Sequence, residues 1–237
     1  MRPPRYTCRA GNWERAGVTI TEDGVNFCVF SRYAEKMELL LFESIDRLEP
    51  DDIIQLDPRI NRTFFFWHIL VEELPDGIYY NWRADGRCDT RETGCRFDAE
   101  KALLDPWATT IDDRLWDRST ACHPGSNVAR AIRAQVVQDH YDWEGDQPLY
   151  IPLNRSVIYE LHVGGFTRHP SSGVRYPGTF AGVVDKIPYL QQLGISHVEL
   201  MPVMAFDTQD VPPRTALLGL ENYWGYSTHS FFAPHPA

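Results

Sequence analysis

The sequence lacks a long hydrophobic run. The apolar stretch MELLLF at 37–42 is already interrupted by Glu38, whereas a membrane-spanning helix needs about 20 apolar residues. The first residues, MRPPRYTCRAGNWERAG, contain no apolar core of the kind that signal peptides carry. We therefore expect no membrane partner and a cytoplasmic location.

A surplus of basic charge is also missing. Lys and Arg number 23 against 33 Asp and Glu, which gives a formal net charge of −10. Arginines such as Arg83, Arg87, Arg91 and Arg96 are scattered, which is typical of solvated surface charge. Because binding to a polyanion requires cations that neutralise phosphates, we expect no nucleic-acid partner.

The sequence has no recognisable metal or disulfide motif. Its cysteines form no CxxC pair, and its eight histidines form no HExxH motif. An odd number of cysteines without paired spacing indicates reduced thiols, and we expect neither a metal site nor a cofactor. The five cysteines are Cys8, Cys28, Cys88, Cys95 and Cys122.

Aromatic residues, by contrast, are abundant. They make up 13% of the chain and include seven tryptophans, a content that fits contact with carbohydrate, although most aromatic rings belong to protein cores. Trp67 and Trp82 are candidates for carbohydrate contact, but alternation along their strands puts at least one of them in the core.

The first hundred or so residues are predicted to form short strands about ten residues apart. Gly, Pro and Asp turns separate them, a spacing that indicates an antiparallel β-sandwich of immunoglobulin-like type. The predicted strands are 25–30, 36–44, 53–56, 63–74 and 78–86. Residues 87 to about 155 are irregular, with one short helical pattern at 99–104, and three tryptophans indicate that this stretch packs against its neighbours.

The pattern then changes to strand, helix and strand. SVIYELHV (156–163) is predicted to be a buried strand, and ISHVELMP (195–202) is predicted to be a second strand. Between them, helical spacing runs over 178–194, with Thr179 as N-cap, Gly194 as C-terminal stop and a break expected at Pro188. A βαβ unit pairs its strands in parallel.

Five segments in the same order resemble bacterial glycogen debranching enzymes and isoamylases of the α-amylase family. They are GCRFDAEKALLDPWA (94–108), YDWEGD (141–146), SVIYELHVGGFTRHPSSGV, HVELMPVMAFD (197–207) and NYWGYSTHSFFAP. The resemblance implies a multidomain chain, in which the sandwich precedes the first β-α-β portion of an incomplete (β/α)8 TIM barrel. The implied division is a sandwich over 1–110, a connector over 111–155 and the start of the catalytic domain over 156–237.

The resemblance also implies a sugar-binding loop after the second strand, where barrels build their active sites. Tyr226 matches a tyrosine that stacks on glucose beside the scissile bond, and Asn222 and Trp224 would support the loop or line the cleft. The family's arginine after the first strand is replaced by Gly164 and Gly165, which we expect to loosen the following loop. The segment 208–221 is a variable insertion that could shape the rim.

Two other sets of polar residues are weaker candidates for a functional site. Glu160 and His162 alternate onto one face of the first strand, where packing or hydrogen bonding is the stronger interpretation than acid–base catalysis. The acidic residues of 142–146 are interpreted as a solvated turn.

The function implied by the resemblance is hydrolysis of α-1,6 branch linkages in glycogen-like glucans by a retaining mechanism. Its partner would be an α-glucan such as glycogen or maltooligosaccharide. No catalytic residue is assigned, because the family's carboxylates come from later strands, so the chain is expected to be an inactive N-terminal fragment with a labile region after about residue 155. A branching enzyme, a trehalose-releasing relative and a non-catalytic glucan-binding module are the alternatives.

Overall fold

The computed structural model describes residues 5–138 and 140–236, which form two compact units. The first unit contains residues 5–138 and 230–236, and the second contains residues 140–229. In the described part of the chain, no helix is both long and apolar enough to cross a membrane.

The first unit is built on two antiparallel sheets. The elements of this unit are β1 (Cys8–Ala10), β2 (Gly17–Thr21), β3 (Gly24–Phe30), β4 (Ala34–Phe42), β5 (Asp52–Gln55), β6 (Arg62–Thr63), β7 (Phe66–Val71), β8 (Tyr79–Gly86), β9 (Cys88–Asp89), β10 (Cys95–Arg96), β11 (Ile111–Asp112), α1 (Arg118–Cys122) and β12 (Arg133–Gln135). In sheet A the strand order is β1-β7-β3-β2, with β6 also paired to β7, and in sheet B it is β11-β12-β8-β4-β5.

Aromatic side chains join the two sheets. The ring of Phe27 from sheet A meets the rings of Tyr80 and Trp82 from sheet B edge-to-face, with centroids 5.0 and 6.5 Å apart. All three side chains are buried, and such contacts add to the free energy of apolar burial. The predicted β-sandwich is therefore confirmed.

The predicted long strand over 63–74 is interrupted. Phe64 adopts a positive φ of 54°, which no regular strand contains, and the chain turns there between β6 and β7. Trp67 and Trp82 are both buried, so neither of these rings can contact a glucan from solution.

The outer face of sheet B is also covered. Leu40 and Phe42 of β4 are buried against Ala102, Val128 and Ala131. This packing explains why β4 is apolar on both faces rather than alternating with polar residues.

The stretch after the first strands contributes to the sandwich. The helix predicted over 99–104 is wrong, because Leu103 exchanges two backbone hydrogen bonds with Trp82, at 2.7 and 2.9 Å. From the expected connector of 111–155, β11 and β12 pair with each other, and β12 pairs with β8. All five cysteines are free thiols.

The second unit contains the predicted strand–helix–strand order. Its two strands pair in parallel, with Ile158 opposite His197 and Leu161 opposite Leu200. Its elements are β13 (Ile158–Leu161), α2 (Val163–Thr167), α3 (Phe180–Val184), α4 (Ile187–Gln192), β14 (His197–Leu200) and α5 (Pro213–Leu217).

The helical region between the strands follows its sequence signals. The Thr179 side chain accepts from the Gly182 N–H and caps α3. Pro188 lies in the first turn of α4, where its missing N–H costs nothing, so the helix breaks and restarts at the expected place. Gly194 ends the region with a φ of 77°.

The strands of this unit are less buried than predicted. Ile158, Val198 and Leu200 are exposed, whereas Leu161 and Leu190 are buried. The described residues of the unit contain two paired strands and do not close a barrel.

Candidate functional site

A loop returns antiparallel to the segment that leaves β14. Three backbone hydrogen bonds of 2.8 Å tie residues 222–229 to residues 205–208, and they hold the intervening aromatic residues in one place without a regular strand. The bonds run from the N–H groups of Asn222, Asp207 and His229 to the carbonyls of Thr208, Ser227 and Ala205.

Gly225 is the residue that shapes this loop. Its φ is 79°, and a side chain there would place a Cβ 3.2 Å from the ring of Phe206. Only glycine satisfies both the left-handed backbone and the close approach. As a result, Trp224 and Tyr226 lie on either side of a buried turn and project outward.

The structure brings the three predicted site residues into this loop but gives them different environments. Tyr226 is 69% exposed and Trp224 is 54% exposed, so both rings are accessible to a ligand. The Asn222 Nδ2 donates to the backbone carbonyl of Asp207 at 3.1 Å. This amide therefore braces the loop, and the role of each residue toward a sugar stays a prediction.

A histidine from the end of the first strand completes the aromatic surface. The His162 ring stacks on Tyr223 with centroids 4.1 Å apart and an interplanar angle of 12°. Trp224 meets both rings edge-on, at 6.1 Å from His162 and 5.2 Å from Tyr223. We call His162, Tyr223 and Trp224 the aromatic cluster.

The hydrogen bonds of His162 determine its tautomer. The Nδ1 accepts from the Gly165 N–H at 3.0 Å, and the Nε2 lies 2.8 Å from the carbonyl oxygen of Tyr223. Because an N–H only donates and a carbonyl oxygen only accepts, these contacts match the tautomer in which Nδ1 is the acceptor and Nε2 the donor. His162 thereby caps α2 and ties the aromatic loop to the first strand, a structural role that agrees with the weaker weight given to catalysis. Glu160 points to solvent.

The loosening expected at Gly164 and Gly165 stays a prediction, but the two glycines do not lie in an irregular loop. Both residues lie within α2, which His162 caps. A Cβ at position 165 would lie 2.2 Å from the Tyr223 Oη. The absence of a side chain at Gly165 allows the tyrosine to approach and stack on His162.

Polar groups around the loop are paired or solvated. The buried Asp207 accepts from the Gln209 N–H at 2.9 Å and lies 3.6 Å from the His229 Nε2. The acidic residues of 142–146 are exposed, and the Asp142 carboxylate accepts from the Glu144 N–H at 2.8 Å, which is consistent with a solvated turn. Across residues 5–138 and 140–236, no three His, Cys, Asp or Glu side chains are grouped so that they could hold a metal ion.

The chain is similar to plant isoamylases along almost its whole length. The chain is 38% identical over 99% of its length to isoamylase 1 of Arabidopsis thaliana. It is 36% identical, again over 99% of its length, to isoamylase 1 of Oryza sativa subsp. japonica. The resemblance to isoamylases is confirmed. The chain spans 30% of the length of each of these two relatives.

The first unit has a family match of its own. Residues 15–108 match carbohydrate-binding module 48, the isoamylase N-terminal domain. Among solved structures, a pullulanase from Paenibacillus barengoltzii in complex with maltohexaose and α-cyclodextrin superposes with a TM-score of 0.69 at 20% identity. That match covers 96% of this chain and 33% of the pullulanase chain. Structural likeness at this identity establishes the fold alone.

Proposed function

We propose that this chain is the sandwich and first barrel portion of an enzyme that hydrolyses α-1,6 branch linkages in glycogen-like α-glucans. The observation that carries the proposal is the 36–38% identity to isoamylases over 99% of the chain. The accessible aromatic loop after the second strand supports it, because such a loop offers flat apolar faces and polar edges to a sugar.

The barrel assignment is part of the proposal. A parallel strand pair with helices between its members is the repeating unit of a (β/α)8 barrel, in which loops after the strands form the active site. The aromatic loop follows β14, on the side where such a barrel would bind substrate. The exposed side chains of Val198 and Leu200 would then be covered by further elements of the barrel.

The proposed roles follow from the environment of each residue. Tyr226 stacks on the glucose beside the scissile bond, and Trp224 lines the cleft. Asn222 acts through its backbone contact by holding the loop. The retaining reaction needs a carboxylate nucleophile and a carboxylic acid about 5–5.5 Å apart. No residue of this chain is assigned to either role, so we expect hydrolysis only from a protein that also contains the remaining length of its relatives.

The test is a comparison of Tyr226 variants in that longer protein. We expect Tyr226→Ala to lower kcat/KM on amylopectin about 10- to 100-fold, in the range of a lost aromatic anchor. Tyr226→Phe should retain most activity, because the flat face remains. Tyr176→Ala removes another half-exposed tyrosine of the second unit and is the matched control. Equal activity of wild type and Tyr226→Ala would contradict the assigned role.

Three alternative functions predict different outcomes. A branching enzyme would break an α-1,4 bond and rejoin the released segment through a new α-1,6 bond, without a net gain of reducing ends. A trehalose-releasing relative would release a non-reducing disaccharide. A non-catalytic glucan-binding module would bind maltooligosaccharide and leave it intact even in the longer protein. Independence from a cofactor and a cytoplasmic location belong to the proposal as predictions.

A further inference from the structure

The chain passes from the second unit into the first directly after the aromatic loop. The loop, residues 222–229, belongs to the second unit, and residues 230–236 belong to the first. At the start of this segment the small side chain of Ser230 is only 1% exposed. The two large side chains that follow, Phe231 and Phe232, are 70% and 59% exposed. Hydrophobic burial alone would place the phenylalanines inside, so a specific contact of the serine holds the segment.

That contact is a buried hydrogen bond to the sandwich. The Ser230 Oγ donates to the backbone carbonyl of Ala108 at 3.1 Å, and Ala108 is buried as well. The two residues are 122 positions apart in the sequence. Because a buried hydroxyl needs its partner inside the protein, this bond fixes Ser230 and with it the point at which the aromatic loop ends.

The acceptor lies in a turn that is anchored in the core of the sandwich. The Ala108 N–H donates to the Asp105 carbonyl at 3.1 Å, and the Asp105 carboxylate accepts from the Trp107 N–H at 2.8 Å. The same carboxylate is fully buried and accepts from the Tyr80 hydroxyl at 2.9 Å. The position of the Ala108 carbonyl is therefore determined by the packed core.

The residue before Ser230 is held within the second unit. The His229 N–H donates to the carbonyl of the fully buried Ala205 at 2.8 Å. Two consecutive residues are thus fixed, each to its own unit. Tyr226 lies only three residues before His229, so breaking the Ser230 bond removes a fixed point close to the exposed ring.

We propose that Ser230 is a positioning residue for the aromatic loop. Its bond to Ala108 fixes the end of the loop and thereby the orientation of the Tyr226 ring toward an α-glucan. The effect on the glucan rests on the proposed function, whereas the ordering of the loop does not. The sandwich accordingly supports the substrate site through the backbone that connects the two.

Hydrogen–deuterium exchange of the 237-residue chain, followed by mass spectrometry, tests the ordering of the loop. We expect Ser230→Ala to speed exchange in peptides from 222–229 about five- to tenfold, the effect of one lost buried hydrogen bond. Peptides from β3 and β8 should exchange as in the wild type. Equal exchange of the loop in the two proteins, or a similar increase in every peptide, overturns the proposal.

Thr120→Val is the matched control for this measurement. It removes a half-buried hydroxyl of the first unit that donates to the Asp117 carbonyl at 2.9 Å, and it keeps the shape of the side chain. We expect exchange in 222–229 to stay unchanged in this variant. The same increase as in Ser230→Ala would overturn the specific role of Ser230.

Steady-state kinetics of the longer protein tests the effect on the substrate. Ser230→Ala should raise KM for amylopectin about three- to tenfold with kcat nearly unchanged, because it weakens binding that substrate and transition state share. Combined with Tyr226→Ala it should cause no further loss of kcat/KM, because it acts through that ring. A wild-type KM in Ser230→Ala, or losses that multiply in the double variant, overturns the positioning role.

The two measurements keep the two proposals apart. If the longer protein does not hydrolyse amylopectin, the proposed function fails, and the exchange of the loop alone decides whether Ser230 holds it. If hydrolysis occurs but exchange of the loop is unchanged in Ser230→Ala, the positioning role fails and the proposed function stands.

Discussion

Replacing Gly165 by alanine should displace Tyr223 and open the aromatic cluster. The new Cβ would lie 2.2 Å from the Tyr223 Oη, whereas the next ring atom, Cζ, would lie at an ordinary 3.6 Å. The hydroxyl must therefore move by about 1 Å or more to reach van der Waals distance. The ring cannot do so without leaving its 4.1 Å stack on His162, a contact of the kind worth about 0.5–1.5 kcal/mol.

The structure also predicts a specific rescue. Because the clash involves the hydroxyl alone, Gly165→Ala combined with Tyr223→Phe should restore the stack. The alanine should then add about 0.5–1 kcal/mol of helix propensity within α2. A double-mutant cycle by urea unfolding, followed by near-UV circular dichroism, measures the coupling between the two sites. The clash is ruled out if Gly165→Ala leaves stability and the aromatic spectrum unchanged, or if the double variant is no more stable than Gly165→Ala.

Three further predictions concern the first unit. Asn127→Ala should lower the free energy of unfolding in urea by about 2–4 kcal/mol, because it leaves two buried backbone groups of Ala102 unpaired. The Asn127 amide accepts from the Ala102 N–H at 2.7 Å and donates to the Ala102 carbonyl at 3.0 Å. Unchanged stability would contradict this role of Asn127. Burial lowers the pKa of His68, so the unfolded chain binds the proton more strongly than the folded chain, and stability should fall as the pH drops below about 6.5. His68→Gln should flatten this part of the plot of stability against pH. Parallel plots for the wild type and the variant would count against the prediction. Burial raises the pKa of the Cys28 thiol to about 11, so iodoacetamide at pH 7.5 should modify the exposed Cys88 well before Cys28. Mass spectrometry measures the two rates of modification. Equal rates would show that Cys28 is accessible.

Local signals predicted the elements whose causes are local. The turn before β3 and the alternation along it located that strand within one residue, and Thr179, Pro188 and Gly194 each act as their chemistry requires. Hydrophobic spacing was also sufficient to place a strand–helix–strand unit after the sandwich.

Features that depend on distant residues were missed. The pattern of 99–104 predicted a helix, but the backbone of Leu103 pairs with that of Trp82 instead, and local propensity cannot reveal this pairing. The buried Asn26 side chain accepts from the Asn12 N–H at 2.7 Å, and no local pattern around Asn12 reveals this contact.

The aromatic cluster illustrates the same limit within the candidate site. His162 and Tyr223 are 61 residues apart, and the glycine that allows their stack was interpreted as a loosening substitution. The GY pair at 225–226 could be located from sequence because the resemblance supplied its place after the second strand. Its structural support could not be predicted, because Gly225 packs on Phe206 from another segment.

The activity proposed for the enzyme that contains this chain is cleavage of α-1,6 linkages. The most direct measurement is the release of reducing ends from amylopectin by the protein extended to the length of its relatives, with linear amylose as the control substrate. We expect new reducing ends and shorter linear chains from amylopectin, and almost no new reducing ends from amylose. Rearranged branches without new reducing ends, or equal release from both substrates, would contradict it.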